Sequence, residues 1–381
     1  MTHATAPSST TTTAISAAAS SSKRRKLSSH HQHHQPLLPG LPDHIAQTCL
    51  SVLPPSLLFY VSRSWRRLLY CPSFPPFLSL YAVFFPTQNQ TGTSIGLFSF
   101  DPISSAWHAL PPPPDPPRRP IVRHPAFLAR NLPLQSLSVA GKLVILAATA
   151  DHFLPAFPHP LVFDPITRKW TFGPRLPNPR RWCATGSSNG IVYVASGIGS
   201  NYNQAVARSV EKWAVQSNSR WKWEKMGELR DGRLSRDAID AVPWRGKLCM
   251  VNVKGDAAKN GVVYDIDRDS WEEMPEGMVA GWRGPAAAMD EETIYVVNET
   301  TGTLRRYDAV LDSWELVVGE ERLRGAEQMA ASKGKVCVVA SAGILVVDVA
   351  ASPAKVWQVD TPAGFQAITV HVLPRMSQPD L

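Results

Sequence analysis

The sequence predicts a mainly β fold: a β-propeller of about six four-stranded blades, preceded by a small three-helix unit and a disordered N-terminal tail. Two recurring phrases and one change of texture carry that reading. The first phrase is a short apolar strand ending in Asp, then a turn, then Trp six residues after the Asp: Asp101 and Trp107, Asp164 and Trp170, Asp265 and Trp271, Asp308 and Trp314. Degraded copies lead from Val210-Glu211-Lys-Trp213 to Trp221 and Trp223, and from Leu345-Val-Val-Asp348 to Trp357. Trp271, Trp314 and Trp357 stand 43 residues apart, a period that belongs to propeller and solenoid repeats. The second phrase precedes the first in each unit: Gly141-Lys-Leu-Val-Ile-Leu, Gly190-Ile-Val-Tyr-Val, Gly246-Lys-Leu-Cys-Met-Val, Thr293-Ile-Tyr-Val-Val and Gly334-Lys-Val-Cys-Val-Val. Continuous β-branched runs of this length are what a strand covered on both faces looks like.

Each unit thus supplies a buried strand, a second strand ending at Asp and an outer strand starting at Trp. A fourth strand of small residues falls between one Trp and the next Gly, in Trp182-Cys-Ala-Thr-Gly, Ala238-Ile-Asp-Ala-Val, Pro285-Ala-Ala-Ala-Met and Gln328-Met-Ala-Ala-Ser. Small side chains suit a crowded strand beside a central channel. Four antiparallel strands with no helix between them describe a blade, not a helical repeat. Each Trp gives its blade an apolar plate whose burial stabilises by about 1.5–3 kcal/mol, and each Asp is expected to accept turn amides ahead of it. Both are therefore scaffold. Blade one uses Ser79-Leu-Tyr-Ala-Val-Phe-Phe and Ser94-Ile-Gly-Leu-Phe-Ser-Phe and lacks an innermost strand before them. Ala367-Ile-Thr-Val-His-Val-Leu373 has no later unit to join, so it is expected to complete blade one and close the ring, which removes two exposed sheet edges. The propeller then spans 78–375, with 376–381 left as a C-terminal tail.

Residues 1–36 are Ser, Thr, Ala, His and Gln with almost no large apolar side chain, a composition that cannot offset the entropy of ordering. The Lys23-Arg24-Arg25-Lys26 cluster reads as a nuclear import signal, as part of an acid-poor transit peptide, or as a plain solvated tail. Helical texture begins after it, in a unit bounded at 37–77. Pro42 and Asp43 open a first helix on which Ile45, Cys49, Leu50 and Leu53 recur at helical spacing. Pro54-Pro55 breaks it; Ser56 is expected to cap a second helix carrying Leu57, Leu58 and Val61, and Ser62 or Ser64 a third with Trp65, Leu68 and Leu69. Three helices in fewer than forty residues cannot bury so many large apolar side chains internally. The excess marks a docking module for another protein.

Leu41-Pro42-Asp43-His-Ile45, Leu50-Ser-Val-Leu53-Pro54, Val61-Ser62-Arg63-Ser64-Trp65-Arg66-Arg67-Leu68 and Pro72-Ser73-Phe74 together resemble an F-box in order and spacing. The Phe/Tyr-Asp and Trp phrases are similar to kelch repeats, and the pairing resembles the F-box/kelch-repeat proteins numerous in plants. That resemblance implies an adaptor: the F-box binds SKP1, and through it cullin, in an SCF-type (SKP1, cullin, RING protein) ubiquitin ligase, while the propeller holds a protein substrate. It makes Leu41, Pro42, Ile45, Leu50, Leu53, Pro54, Val61 and Trp65 the SKP1-contacting candidates, with Leu53 and Trp65 expected also to pack the helical unit itself. The alternatives are a kelch scaffold with no ubiquitin role and a sensor that binds a small ligand in its channel.

The net charge of +8 looks like a nucleic-acid signal until it is placed. Residues 1–76 hold seven Lys/Arg and one acid, leaving 32 Lys/Arg against 30 acids for the rest. A near-neutral propeller is not expected to bind nucleic acid. No apolar run is long enough to span a bilayer, and five Cys without a Cys-x-x-Cys pair read as reduced thiols; the expected location is the nucleus, the cytoplasm or both. Neither a metal-ligand spacing among His108, His124, His152, His159 and His371 nor a phosphate loop or nucleophile motif occurs, so no catalysis and no cofactor are expected. For the substrate, Arg180-Arg181-Trp182, Arg236, Trp282-Arg283 and Arg324 precede the small-residue strands of successive blades. If equivalent, they form a ring of Arg and Trp at the channel mouth, fit for an acidic or aromatic peptide. The other reading is that these arginines neutralise blade-edge carboxylates such as Asp231 and Asp237.

Overall fold

The structure, a computed structural model, describes residues 36–87, 95–114, 134–146, 157–180, 183–199, 203–216, 221–230, 241–254 and 257–378. Each recurring Gly closes a two-residue hairpin between the two inner strands of a blade. Ala140-Gly141, Asn189-Gly190, Arg245-Gly246 and Lys333-Gly334 all have positive φ at both positions. That is the turn whose twist matches paired strands, and Gly fits its second position without strain. Blade five, which alone among blades two to six lacks the glycine, turns through three residues, Asp290-Glu291-Glu292 between Met289 and Thr293, with Asp290 and Glu291 at φ 52° and 60°. The Lys after three of these glycines explains the rest of the phrase: Lys142, Lys247 and Lys335 reach Asp164, Asp265 and Asp348 across the blade at 3.3, 3.8 and 2.7 Å.

Six four-stranded antiparallel sheets result. From the inner strand outward, blade two is Gln135–Val139, Lys142–Leu146, Leu161–Asp164 and Lys169–Phe172, and blade five is Ala286–Met289, Thr293–Asn298, Thr303–Asp308 and Ser313–Gly319. Blade one takes its inner strand from the other end of the chain: Phe365–Pro374 pairs antiparallel with Leu78–Pro86, in a register that sets Tyr81 opposite His371. The ring is closed as the orphan C-terminal strand predicts. Met376 and Ser377, assigned from sequence to a tail, are instead buried, Met376 among the side chains between blades one and two.

The Asp and Trp of each phrase hold different neighbours. Asp101, Asp164, Asp265, Asp308 and Asp348 accept turn amides two or three residues on, as expected. Each in-register Trp reaches across to the preceding blade. The indole N–H of Trp170 donates to Pro111 O, Trp223 to Pro174 O, Trp271 to Gly227 O and Trp314 to Gly277 O, at 2.7–3.1 Å. Trp107 donates to Asp360 O at 2.7 Å, and so staples blade one to blade six across the closure.

Trp357 departs from the expectation. In blade five Tyr307 pairs with Trp314, whereas in blade six Val347 pairs with Val356, so Val356 holds the anchor position. A turn two residues longer leaves Trp357 one position out of register. One step along a strand turns a side chain to the other face, and Trp357 is 41 % exposed. Two inner strands also differ from expectation. Blade two has one at Gln135–Val139 that its sequence did not announce, and blade four's runs over Val242–Trp244 rather than Ala238–Val242, residues 238–240 lying outside the described part.

Ahead of the propeller are α1 (Asp43–Ser51), α2 (Pro55–Val61) and α3 (Arg63–Tyr70). Ser62 caps α3 by accepting from Trp65 N at 3.2 Å. Ser56 is not a cap: α2 already begins at Pro55, where a missing N–H costs nothing. Leu50, Leu58, Leu68, Leu69, Tyr70 and Phe74 form the core of this unit.

Candidate functional site

The helical unit leaves on its surface the apolar side chains it cannot bury. Leu41, Ile45, Val52, Leu53, Leu57, Tyr60 and Val61 are 38–82 % exposed, seven of the thirteen exposed large apolar residues among the described residues, all within 21 residues of chain. Such concentration marks a contact surface. Of the residues singled out from sequence, Leu41, Pro42, Ile45, Leu53, Pro54 and Val61 are exposed. Leu50 is not: it is 2 % exposed and packs the unit's own core. Trp65 is half-buried, its indole N–H donating to Leu37 O at 2.8 Å. Leu53, expected both to meet a partner and to pack the unit, is 38 % exposed. Sequence reading missed Leu57, Tyr60 and Val52; Leu57, Tyr60 and Val61 lie three and four residues apart on α2, a spacing that puts them on one helical face.

The propeller's two ends follow from its topology. In each blade the connection from second to third strand, and the one leading to the next blade, lie at the end opposite the inner hairpins. Arg283 and Arg324 stand on blade-to-blade connections at that end and are exposed. They are linked through blade five's loop: Glu299 N donates to Arg283 O, and Gly325 N to Glu299 O at 2.8 Å. Arg324 is paired with Glu321 at 3.1 Å and Arg322 with Glu320 at 2.9 Å. Three arginines among Glu299, Glu320, Glu321 and Glu327 make this rim mixed in sign, so its charge does not itself select an acidic ligand.

Two members of the expected ring lie inside the protein. Arg180 is fully buried, ion-paired with the buried Glu211, and donates to Ser196 O at 3.1 Å and Ser209 Oγ at 2.5 Å. Trp282 is 2 % exposed and packs edge-on to Trp314. Neither faces a channel mouth: Trp282 lies in the core between blades four and five, and Arg180 pins the connection from blade two onto the middle strands of blade three. Arg181, Trp182 and Arg236, with Asp231 and Asp237, lie outside the described residues.

The central channel encloses about 140 Å³ between the inner strands. Hydroxyls and His371 line it from blades one to three, alanines from blades four to six. Its narrowness is enforced at Gly186, where a Cβ would come within 2.3 Å of Ala241 O. His371 Nε2 meets Ser136 Oγ at 2.8 Å, and burial lowers its pKa to about 4, so the ring is neutral at physiological pH. Burial pushes the Cys249 and Cys337 thiols up to about 12, which keeps them protonated and unreactive. Among the described residues no three His, Cys, Asp or Glu side chains converge as metal ligands, and no helix is long and apolar enough to cross a membrane.

No family model matches the chain. It is 53 % identical over 359 residues to the F-box/kelch-repeat protein SKIP25 of Arabidopsis thaliana, spanning 90 % of this chain and 91 % of that protein. It is 27 % identical over 284 residues to the F-box protein AFR of the same plant, spanning 70 % and 69 %. With an exposed apolar helical face beside a six-bladed ring, and that identity along nine-tenths of its length, this chain belongs to the F-box/kelch-repeat proteins.

Proposed function

We propose that the chain is the substrate-recognition adaptor of an SCF-type ubiquitin ligase, its helical unit docking on SKP1 and its propeller holding a protein to be ubiquitinated. The observation that carries this reading is the exposed apolar face of α1 and α2, next to a propeller whose own apolar side chains are largely enclosed. Leu41, Ile45, Leu53, Leu57, Tyr60 and Val61 supply the area a partner must cover to keep them from water. The substrate lies against the end of the propeller carrying Arg283 and Arg324, opposite the inner hairpins. The chain contributes affinity and geometry rather than chemistry: holding an acceptor lysine beside the ligase raises its effective concentration there. The nucleus and cytoplasm are where it would act, with Lys23-Arg24-Arg25-Lys26 as the import signal.

Co-purification with SKP1 tests the docking half, and Ile45→Asp with Leu57→Asp should abolish it while leaving the propeller's melting temperature unchanged. For the substrate half, Arg283→Ala with Arg324→Ala should lose proximity-labelled partners that wild type captures, with SKP1 binding intact. Capture unchanged by that pair would move the substrate surface elsewhere.

A further inference from the structure

Three separate stretches of chain meet in a buried polar cluster where the helical unit joins the propeller. Tyr70, the last residue of α3, is 1 % exposed, and its hydroxyl donates to the Asp101 carboxylate at the end of blade one's third strand. Asp101 also accepts from Ile103 N and Ser104 Oγ, both at 2.8 Å, so its position is set by the blade. Arg375 directly follows the strand that closes the ring and is also 1 % exposed. Its Nη2 donates to Cys71 O at 2.6 Å, and its guanidinium lies 5.8 Å from the centre of the Tyr70 ring. Backbone bonds run in parallel, Arg375 N to Phe77 O at 2.8 Å and Gln378 N to Tyr70 O at 3.4 Å, while Ser377 N to Pro165 O at 3.1 Å ties the same segment to blade two.

The Tyr70 ring belongs to the core of the helical unit, but neither module needs the polar groups of this cluster to be complete. The ring closes through backbone pairing from Leu78 and Pro374 to Pro86 and Phe365, and the helical unit has its own apolar core. Burying a guanidinium and a carboxylate costs desolvation that apolar side chains would avoid, and Arg375 Nε has no partner among the described residues. What directional bonds add, and apolar contact does not, is a single orientation. Without them residues 71–77 would form a hinge between the module that docks and the module that carries.

We propose that Tyr70, Asp101 and Arg375 form a clasp that fixes the direction in which the propeller presents its bound protein to the ligase. These are positioning residues, and the role rests on the adaptor reading above. The bound protein sits at the far end of the propeller from the F-box, so a small change in angle at the clasp becomes a large displacement of an acceptor lysine. A loose clasp therefore spreads ubiquitin over many acceptors and slows transfer to each.

The test uses the full chain carrying Tyr70→Phe and Arg375→Gln, which keep the aromatic ring and the ring-closing backbone. Spin labels at Cys49 and at Val310→Cys, both exposed, in a Cys71→Ser background, report the angle between modules as a distance distribution. A narrow distribution that broadens roughly twofold in the variant, with SKP1 affinity and the propeller's melting temperature unchanged, is expected of a loosened joint. In a ligase reconstituted with SKP1, cullin, RING protein, conjugating enzyme, ubiquitin and ATP, the chain serves as its own acceptor. Modified sites mapped among exposed lysines, from Lys169, Lys333 and Lys355 at the helical unit's end to Lys225 at the far end, should be few in wild type and scattered in the variant. A distance distribution that does not broaden overturns the clasp; one that broadens with an unchanged lysine pattern overturns its positioning role. A narrow wild-type distance without any ubiquitin transfer overturns the adaptor reading, and the positioning role with it.

Discussion

Arg180 carries its charge where no water reaches it, and Glu211 is its counter-ion. Removing one partner of such a pair strands the other, which typically costs about 3–5 kcal/mol. Arg180→Ala should therefore lower unfolding free energy by about that much in urea titration, whereas replacing both partners by apolar residues should cost far less. An unchanged urea midpoint for Arg180→Ala would mean the pair is not buried. From sequence Arg180 reads as a surface anchor because Arg and Trp are equally the residues of interfaces and of satisfied interiors. The signal that distinguishes them lay in Val210-Glu211-Lys-Trp213: an acid within a strand of a closed sheet must find a cation. His371 makes a second prediction at this scale. Its folded pKa of about 4 lies below the ordinary His value of about 6.5, so between these pH values the unfolded chain binds the extra proton and stability falls as pH falls. The loss approaches about 3 kcal/mol once the pH is below 4. His371→Gln should flatten the pH dependence of the melting temperature between 6.5 and 4, and a slope identical to wild type would contradict the buried neutral ring.

At the scale of elements, the indole staples set the cost of each anchor. Trp314 packs against Trp282 and Tyr307, donates to the preceding blade, and occupies space that any side chain at Gly281 would invade, a Cβ there falling 2.0 Å from its ring. Trp314→Ala should cost about 3–5 kcal/mol. Trp357→Ala should stay within about 1 kcal/mol, since that side chain is out of register and half in water. Equal costs measured by thermal melting would refute the shifted register of blade six. The even spacing of 43 residues was a poor guide at this point because numbering counts turn residues and packing does not. Elsewhere elements were legible because each phrase has a local physical cause: Gly for the left-handed turn, Lys for the cross-blade ion pair, Asp for the turn amides. Blade two's inner strand was illegible because Gln-Ser-Leu-Ser-Val lacks the Ala and Gly that marked the others. The α2 face was legible only as excess hydrophobicity; which of Leu57, Leu58 and Tyr60 points outward depends on how α2 lies on α3.

For the whole molecule, the C-terminal strand does two jobs, closing blade one and delivering Arg375 to the clasp. Deleting residues 365–381 should leave blade one with three strands and an open edge, and the chain should lose its cooperative unfolding transition and aggregate. A soluble truncated protein with a wild-type melting temperature would contradict ring closure by this strand. The helical unit stands at one end of the ring and the rim proposed to hold substrate at the other, so on this reading docking and capture can be changed independently. The measurement that bears most directly on that account is the affinity of the purified chain for SKP1 by calorimetry, for wild type and for Ile45→Asp with Leu57→Asp. Tight binding by wild type, weakened by about 100-fold or more in the variant with the propeller's melting temperature unchanged, is the predicted result. A folded wild-type protein that does not bind SKP1, or a variant that binds as tightly, would contradict it.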